Sequence, residues 1–287
     1  MTQSAEELID LERYPIDQPQ SDGGKQLIAG MRSRLDVDGC AVLKGFVHAD
    51  ALAGLVAEAD RAVPNAHMSK NRTNAYFTQD RPDLPQDHPV RRFYDRSNAF
   101  IPADNFGPGS GLRAIYEYPH FAPFIRQCLG EEAARFFPYA DPLADVIVNM
   151  ADAGNGFPWH FDTNNYTVTL ALQNAEAGGE FEYAPNIRLN SDGGDENFSE
   201  VARVLDDQSK LVKTLVLEPG DLQIFKGRYS LHRVAPLKGN RRRYVAIFSY
   251  VEEPGMVGSV ERTMQLYGKT LPIHHEREGK RADAYLD

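Results

Sequence analysis

Pro158-Trp159-His160-Phe161-Asp162 is the stretch on which the reading turns. His160 and Asp162 are two residues apart, and on an extended strand residues i and i+2 point to the same face. An imidazole and a carboxylate then project side by side from one strand end. His232 follows 72 residues after His160 and supplies a second imidazole. Two neutral imidazoles and one carboxylate on one face of an octahedral ion leave three positions open. His-x-Asp alone is a frequent coincidence in a chain with 8 His and 41 acidic residues. Its surroundings decide what it means.

His232 lies in Gly227-Arg228-Tyr229-Ser230-Leu231-His232-Arg233-Val234, behind the turn Pro219-Gly220-Asp221 and the apolar Leu222-Gln223-Ile224-Phe225. Eleven residues past His232, Arg243 opens the strand Tyr244-Val245-Ala246-Ile247-Phe248. A guanidinium there can clasp a carboxylate through two parallel hydrogen bonds. Together with Gly178-Gly179-Glu180-Phe181, this ordered set resembles the Fe(II)/2-oxoglutarate-dependent dioxygenase superfamily over about residues 140–250. Trp159-His160-Phe161-Asp162, Gly179 to Arg188 and Ser230 to Val234 are most similar to the bacterial enzymes that hydroxylate or halogenate free amino acids.

That resemblance implies a mainly β fold with flanking helices, the double-stranded β-helix (a cupin-like jelly roll). It implies His160, Asp162 and His232 as the metal ligands and hence the catalytic set, with Fe(II), 2-oxoglutarate and O2 as cofactor and cosubstrates. The reaction would be hydroxylation of an unactivated C–H bond with release of succinate and CO2. Halogenating relatives replace the ligand carboxylate by a small residue, so Asp162 implies hydroxylation or desaturation rather than chlorination. Arg243 is the first choice for the distal carboxylate of 2-oxoglutarate. Arg241 would share its face of a regular strand and Arg242 would point away, and both stay as alternatives. Asn149 is a further candidate for the cosubstrate.

At 287 residues the chain suits one oxygenase domain. It divides into an N-terminal support region (1–138), a catalytic jelly-roll core (139–251) and a C-terminal tail (252–287). The net charge of −10 argues against a nucleic-acid partner. No apolar run approaches the roughly 20 residues that span a bilayer. Cys40 and Cys128 read as buried small hydrophobes, and with an acidic N-terminus lacking an apolar leader a cytoplasmic location is expected.

Residues 1–24 read as an extended arm. Lys25–Leu35 and His48–Ala62 read as helices around the strand Gly39–Val47, and Pro119–Phe137 as one or two helices broken near Gly130. Residues 64–110 carry Pro82, Pro85 and Pro89 with little periodicity, and read as a long loop over the active-site mouth. Arg91, Arg92, Arg96 and Asn98 are its candidates for substrate contact. Short strands follow at 144–150, 166–172, 180–183, 211–217, 221–226, 231–235 and 243–251, which suits an antiparallel sandwich or barrel. Asn190-Ser191-Asp192-Gly193-Gly194-Asp195 reads as a turn-rich tip ahead of a short helix from Asn197 to Leu205. Val260–Tyr267 reads as helical, and His274-His275 as part of a charged, solvated face.

The substrate is expected to be a small molecule, a free amino acid first. Asn164 and Asn165 directly follow the ligands and can lean over the open positions. Glu180 and Glu182 would accept an ammonium group if they face inward. A larger amino-acid-derived natural-product intermediate, a non-catalytic jelly-roll binding protein and a zinc hydrolase are the competing readings. The C-terminal tail has two places to go, over the barrel mouth or against a second subunit in a homodimer.

Overall fold

The computed structural model describes residues 3–188 and 196–276. The tip at 190–195 therefore lies outside the described residues. Among the described residues twelve strands form two sheets. In chain order they are β1 (Cys40–Leu43), β2 (His67–Thr73), β3 (Tyr94–Ile101), β4 (Phe137–Pro138), β5 (Val146–Ala151), β6 (Phe157–His160), β7 (Thr167–Gln173), β8 (Phe181–Ala184), β9 (Lys213–Leu215), β10 (Leu222–Phe225), β11 (Leu231–Val234) and β12 (Arg243–Val251). The larger sheet runs β1-β10-β7-β12-β5-β3-β2, with β4 against β12, and the smaller runs β6-β11-β8-β9. Among the described residues these strands pair antiparallel throughout. The two sheets facing each other make a double-stranded β-helix.

Strict alternation along the large sheet sorts its side chains. On β12, Tyr244, Ala246, Phe248 and Tyr250 join the main apolar cluster, whereas Arg243, Val245, Ile247 and Ser249 face the space between the sheets. On β7, Val168 and Leu170 are core, and Thr167 and Thr169 face inward. On β10, Leu222 and Ile224 are core, and Gln223 and Phe225 face inward. The outer face is covered by the N-terminal helices. Phe121, Phe124, Ile125 and Cys128 of the helix Phe121–Leu129 pack there with Met31 and Leu35 of the helix Asp22–Asp38. Ser21 caps that second helix by accepting from Gly24 N, and Gly39 ends it at φ +62°.

Several expectations need correction. Residues 1–24 are not an extended arm: Leu8, Ile9, Tyr14 and Ile16 are buried in the main cluster, because an Ala5–Leu8 turn of helix and the turns after it fold them onto β1 and its flanks. Residues 64–110 are not one loop, since β2 and β3 pair along their full length and extend the large sheet. Their polar sequences, His67-Met68-Ser69-Lys70-Asn71-Arg72-Thr73 and Tyr94-Asp95-Arg96-Ser97-Asn98, hide the strands because β2 is an edge and β3 turns polar groups inward. The support region thus contributes four strands, β1 to β4, to the catalytic sheet. The stretch after Gly130 is a short 3-10 turn (Ala133–Arg135) and β4, not a second helix.

The tail holds two helices, Val260–Tyr267 and Pro272–Glu276. His274 is fully buried, not solvated, and its Nε2 lies 3.1 Å from Asp141 Oδ1. Asp141 also accepts from Leu143 N at 2.8 Å and Gly258 N at 2.9 Å, so this carboxylate docks the tail onto the start of the core. His274→Leu is expected to cost about 1–3 kcal/mol, since it removes one of three partners of a buried carboxylate. Chemical denaturation checks this, and an unchanged midpoint would mean that the tail docks by other contacts.

Candidate metal centre and active site

The antiparallel register of β6 with β11 sets His160 opposite His232, with ring centroids 4.2 Å apart. A bulge between His232 and Val234 puts three residues of β6 across two of β11. Phe157 and His160, three residues apart, consequently both line the same cavity. β6 ends at His160, so Asp162 lies just past the strand rather than on it. Backbone bonds hold it there: Phe161 N donates to Ala75 O at 2.9 Å, and Asp162 N to Gly227 O at 3.1 Å.

Each imidazole is fixed by a carbonyl two residues earlier. His160 Nδ1 lies 2.7 Å from Pro158 O, and His232 Nδ1 lies 2.9 Å from Ser230 O. A carbonyl only accepts, so both Nδ1 atoms carry the proton and both Nε2 lone pairs are free for a metal. Asp162 Oδ1 lies 3.7 Å from His160 Nε2 and 3.4 Å from His232 Nε2. The three ligand atoms fall within 4.8 Å of one another. Burial, with His232 close by, pushes His160 well below the usual imidazole range. Burial alone would raise Asp162, but the two imidazoles and the Thr167 hydroxyl outweigh it and hold the carboxyl far below its ordinary range. A neutral His160 beside an ionised Asp162 suits the ligation of a divalent cation.

Two further residues shape the carboxylate. Thr167 donates its hydroxyl to Asp162 Oδ2. Gly227 leaves room for it, since a Cβ at 227 would sit 1.8 Å from the same oxygen. Thr167→Val is expected to weaken Fe(II) binding about tenfold by freeing the carboxylate to rotate. Anaerobic metal titration reads this, and unaltered affinity would show that the backbone alone orients Asp162.

The ligands open into a cavity of about 220 Å³ between the sheets. Arg243 lies on its wall, 7% exposed, with no carboxylate among the described residues in ion-pair contact. Burial alone pushes this guanidinium down to about 10. Arginine keeps its proton in proteins, so the shift measures a missing counter-charge. The two alternatives lie elsewhere: Arg241 donates to Ala175 O at 3.2 Å, and Arg242 pairs with Asp152 at 2.8 Å. The strand begins at Arg243, so the regular-strand argument for Arg241 fails. Asn149 also lines the cavity, with its amide donating to Ala99 O at 3.3 Å.

Among the candidates for substrate contact, Asn164 and Arg96 line the cavity, and Asn165 does not. Arg91 is held outside by Asp80 and Leu84 O, and Arg92 by Asp206. Glu180 lies outside the lining, and Glu182 pairs with Arg233 at 2.5 Å on the opposite face of β8 from Phe181. Neither glutamate reaches the cavity, because Phe181 takes the inward position. Sequence reasoning missed Phe77, Thr167, Gly227 and Arg262. Thr167 was findable as the first inward position after the ligand turn. Arg262, on a tail helix, gave no signal.

A family profile described as halogenase D matches residues 24–266. The chain belongs to the halogenase D family. That family lies within the 2-oxoglutarate–Fe(II) oxygenase superfamily, and the His160, Asp162 and His232 set is consistent with Fe(II) binding. No curated protein matches the sequence. Solved structures share the fold at low identity. A non-haem α-ketoglutarate-dependent epimerase, SnoN, from nogalamycin biosynthesis is similar at 15% identity over 79% of this chain and 84% of that one, with a TM-score of 0.56. A prolyl hydroxylase from Trichoplax adhaerens is similar at 15% identity over 82% and 96%, TM-score 0.51. AviO1 from Streptomyces viridochromogenes is similar at 17% identity over 80% and 96%, TM-score 0.51. Among the described residues no helix is long and apolar enough to cross a membrane.

Proposed function

We propose that this member of the family hydroxylates a C–H bond of a small, carboxylate-bearing substrate of the free amino-acid class. The observation that carries the choice of hydroxylation is the ligand carboxylate at 162. Asp162 is held by the Thr167 hydroxyl and by Gly227 O in the place that halogenating relatives leave open for chloride. A seated carboxylate leaves no room there for a halide.

When bound, Fe(II) with 2-oxoglutarate and O2 supplies the oxidising power. The chain supplies position and exclusion. His160, Asp162 and His232 hold the ion. Arg243 clasps the distal carboxylate of the cosubstrate. Arg96 offers a second guanidinium for the substrate's own carboxylate, and Asn164 lies at the mouth beside the ligands. Phe77, Phe157, Phe181 and Val234 wall the ligands from water. The cavity volume suits a molecule of amino-acid size, and that favours it over the larger natural-product intermediate.

The test is anaerobic loading with Fe(II) and 2-oxoglutarate in chloride buffer, then air, with a panel of free amino acids and product analysis by mass spectrometry. One added oxygen on one amino acid, matched by succinate, is the expected result. A chlorinated product would refute hydroxylation. Succinate with every amino acid intact would refute the substrate class.

A further inference from the structure

Two more arginines face this cavity, and no carboxylate among the described residues pairs with them. Arg96 projects from β3 and Arg262 from the helix Val260–Tyr267. Both guanidiniums lie against the Phe77 ring, with Cζ 4.8 Å and 4.6 Å from its centroid. Arg96 also stacks on Phe157 at 4.6 Å. Asn98, oriented with its amide oxygen toward Arg96, accepts from Nε at 2.6 Å and Nη2 at 3.1 Å. That leaves Arg96 Nη1 buried with no partner. Arg262 Nη1 donates to Gln265 Oε1 at 3.2 Å. Among the described residues neither arginine makes an ion pair. Burial, with Arg262 close by, pushes Arg96 down to about 9.

Phe77 sits at φ +58°, a conformation that an aromatic residue adopts only when its surroundings force it. Asn74 does the forcing. Its side chain accepts from Tyr76 N at 2.9 Å and Thr78 N at 3.2 Å, and donates to Val90 O at 2.6 Å. The turn thus holds one ring against two cations and 5.6 Å from the His160 ring.

Charge then constrains the ligand. Fe(II), Asp162, a 2-oxoglutarate dianion and Arg243 sum to zero formal charge. Among the described residues the other carboxylate on the wall is Asp141, already taken by two backbone amides and His274. Arg96 and Arg262 remain as an uncompensated pair of buried cations, which a monoanion would satisfy only by half.

We infer that Arg96 and Arg262, set about Phe77, form a clamp for a doubly negative end of the substrate, either two carboxylates or a phosphate monoester. The inference rests on the oxygenase reading above and narrows its substrate class to acidic or phosphorylated small molecules. A neutral amino acid brings a single carboxylate for the two cations.

Calorimetry under argon, on full-length protein saturated with Fe(II) and 2-oxoglutarate, tests it. Saturation keeps the titrant out of the Arg243 site. Glutamate, aspartate and O-phosphoserine are compared with glutamine, asparagine and serine. At least one of the acidic ligands is expected to bind about tenfold or more tightly than its counterpart with an uncharged side chain. Arg262→Gln should abolish that difference, and Arg262→Lys should restore part of it, while 2-oxoglutarate affinity stays as in the wild type. Preference for glutamate or aspartate would name the dicarboxylate, and preference for phosphoserine the phosphate. No preference in the wild-type protein, including no binding at all, overturns the clamp, as does a preference that survives Arg262→Gln. Uncoupled conversion of 2-oxoglutarate to succinate is measured in parallel. If succinate forms and the acidic ligands do not bind, the clamp fails alone. If no succinate forms, the oxygenase reading fails.

Discussion

Gly227→Ala is expected to strip iron from a protein that otherwise folds. The added methyl would overlap Asp162 Oδ2, at 1.8 Å, and also press on Asp162 Cγ at 2.6 Å and Cβ at 3.0 Å. The neighbour is not a flexible tip. Its backbone is tied by Asp162 N to Gly227 O, and its carboxylate by Thr167. Either the carboxylate swings away from the imidazoles or the 227 strand lead-in backs off, and both open the three-ligand set. Loss of one ligand of three should lower Fe(II) affinity about 100-fold or more, beyond the usual effect of changing a supporting residue. Turnover at limiting iron should fall in proportion. Circular dichroism and thermal melting of the metal-free variant should stay close to the wild type, because residue 227 adds nothing to either apolar cluster around it. Retained iron affinity would mean that Asp162 is not a ligand in solution.

Arg243→Met should have two effects of opposite sign. Without ligands, Arg243 is a buried cation with no counter-ion, which opposes folding. Methionine fills similar space on the cavity wall without that cost, so the ligand-free protein should gain about 1–3 kcal/mol, a rise of several degrees in Tm. With the guanidinium gone, a dicarboxylate cosubstrate loses a charge-assisted bidentate contact in a buried site. That should cost about 2–5 kcal/mol, or about thirtyfold or more in the Kd of 2-oxoglutarate. Metal affinity should not move. Arg241→Met and Arg242→Met, whose partners are Ala175 O and Asp152, should leave 2-oxoglutarate binding unchanged. A variant that melts lower than the wild type and still binds 2-oxoglutarate would place the cosubstrate elsewhere.

Much of the site could be read from the chain because its geometry is local. His160 and Asp162 need only one turn to meet, and β12 announces itself by its β-branched and aromatic run. The β7 alternation of Thr167, Val168, Thr169 and Leu170 is equally plain, but the alternation leaves the facing of each side open. Polar positions on a half-buried strand are ordinarily taken to face water, whereas here Thr167, Thr169, Gln223 and Arg243 face inward. Alternation gives two faces and does not say which one encloses the site. The β2–β3 pair stayed hidden for a related reason: its stability comes from pairing with β5, a contact that no local propensity records. Arg262 was the least accessible. It lies 100 residues past Asp162 in the chain, and its place depends on the burial of His274 against Asp141, at the far side of the tail.

The register of β6 against β11 carries one more consequence. An ion shared by His160 and His232 ties together positions 72 residues apart, across β7 to β10. It is in effect a reversible cross-link closing a long loop, and it restricts the unfolded chain only while it stays attached. Chelation should therefore do more than silence chemistry. It should loosen the β6-β11-β8-β9 sheet before the larger one, so that proteolytic nicks concentrate between residues 174 and 215 while the helix-backed sheet still protects its amides.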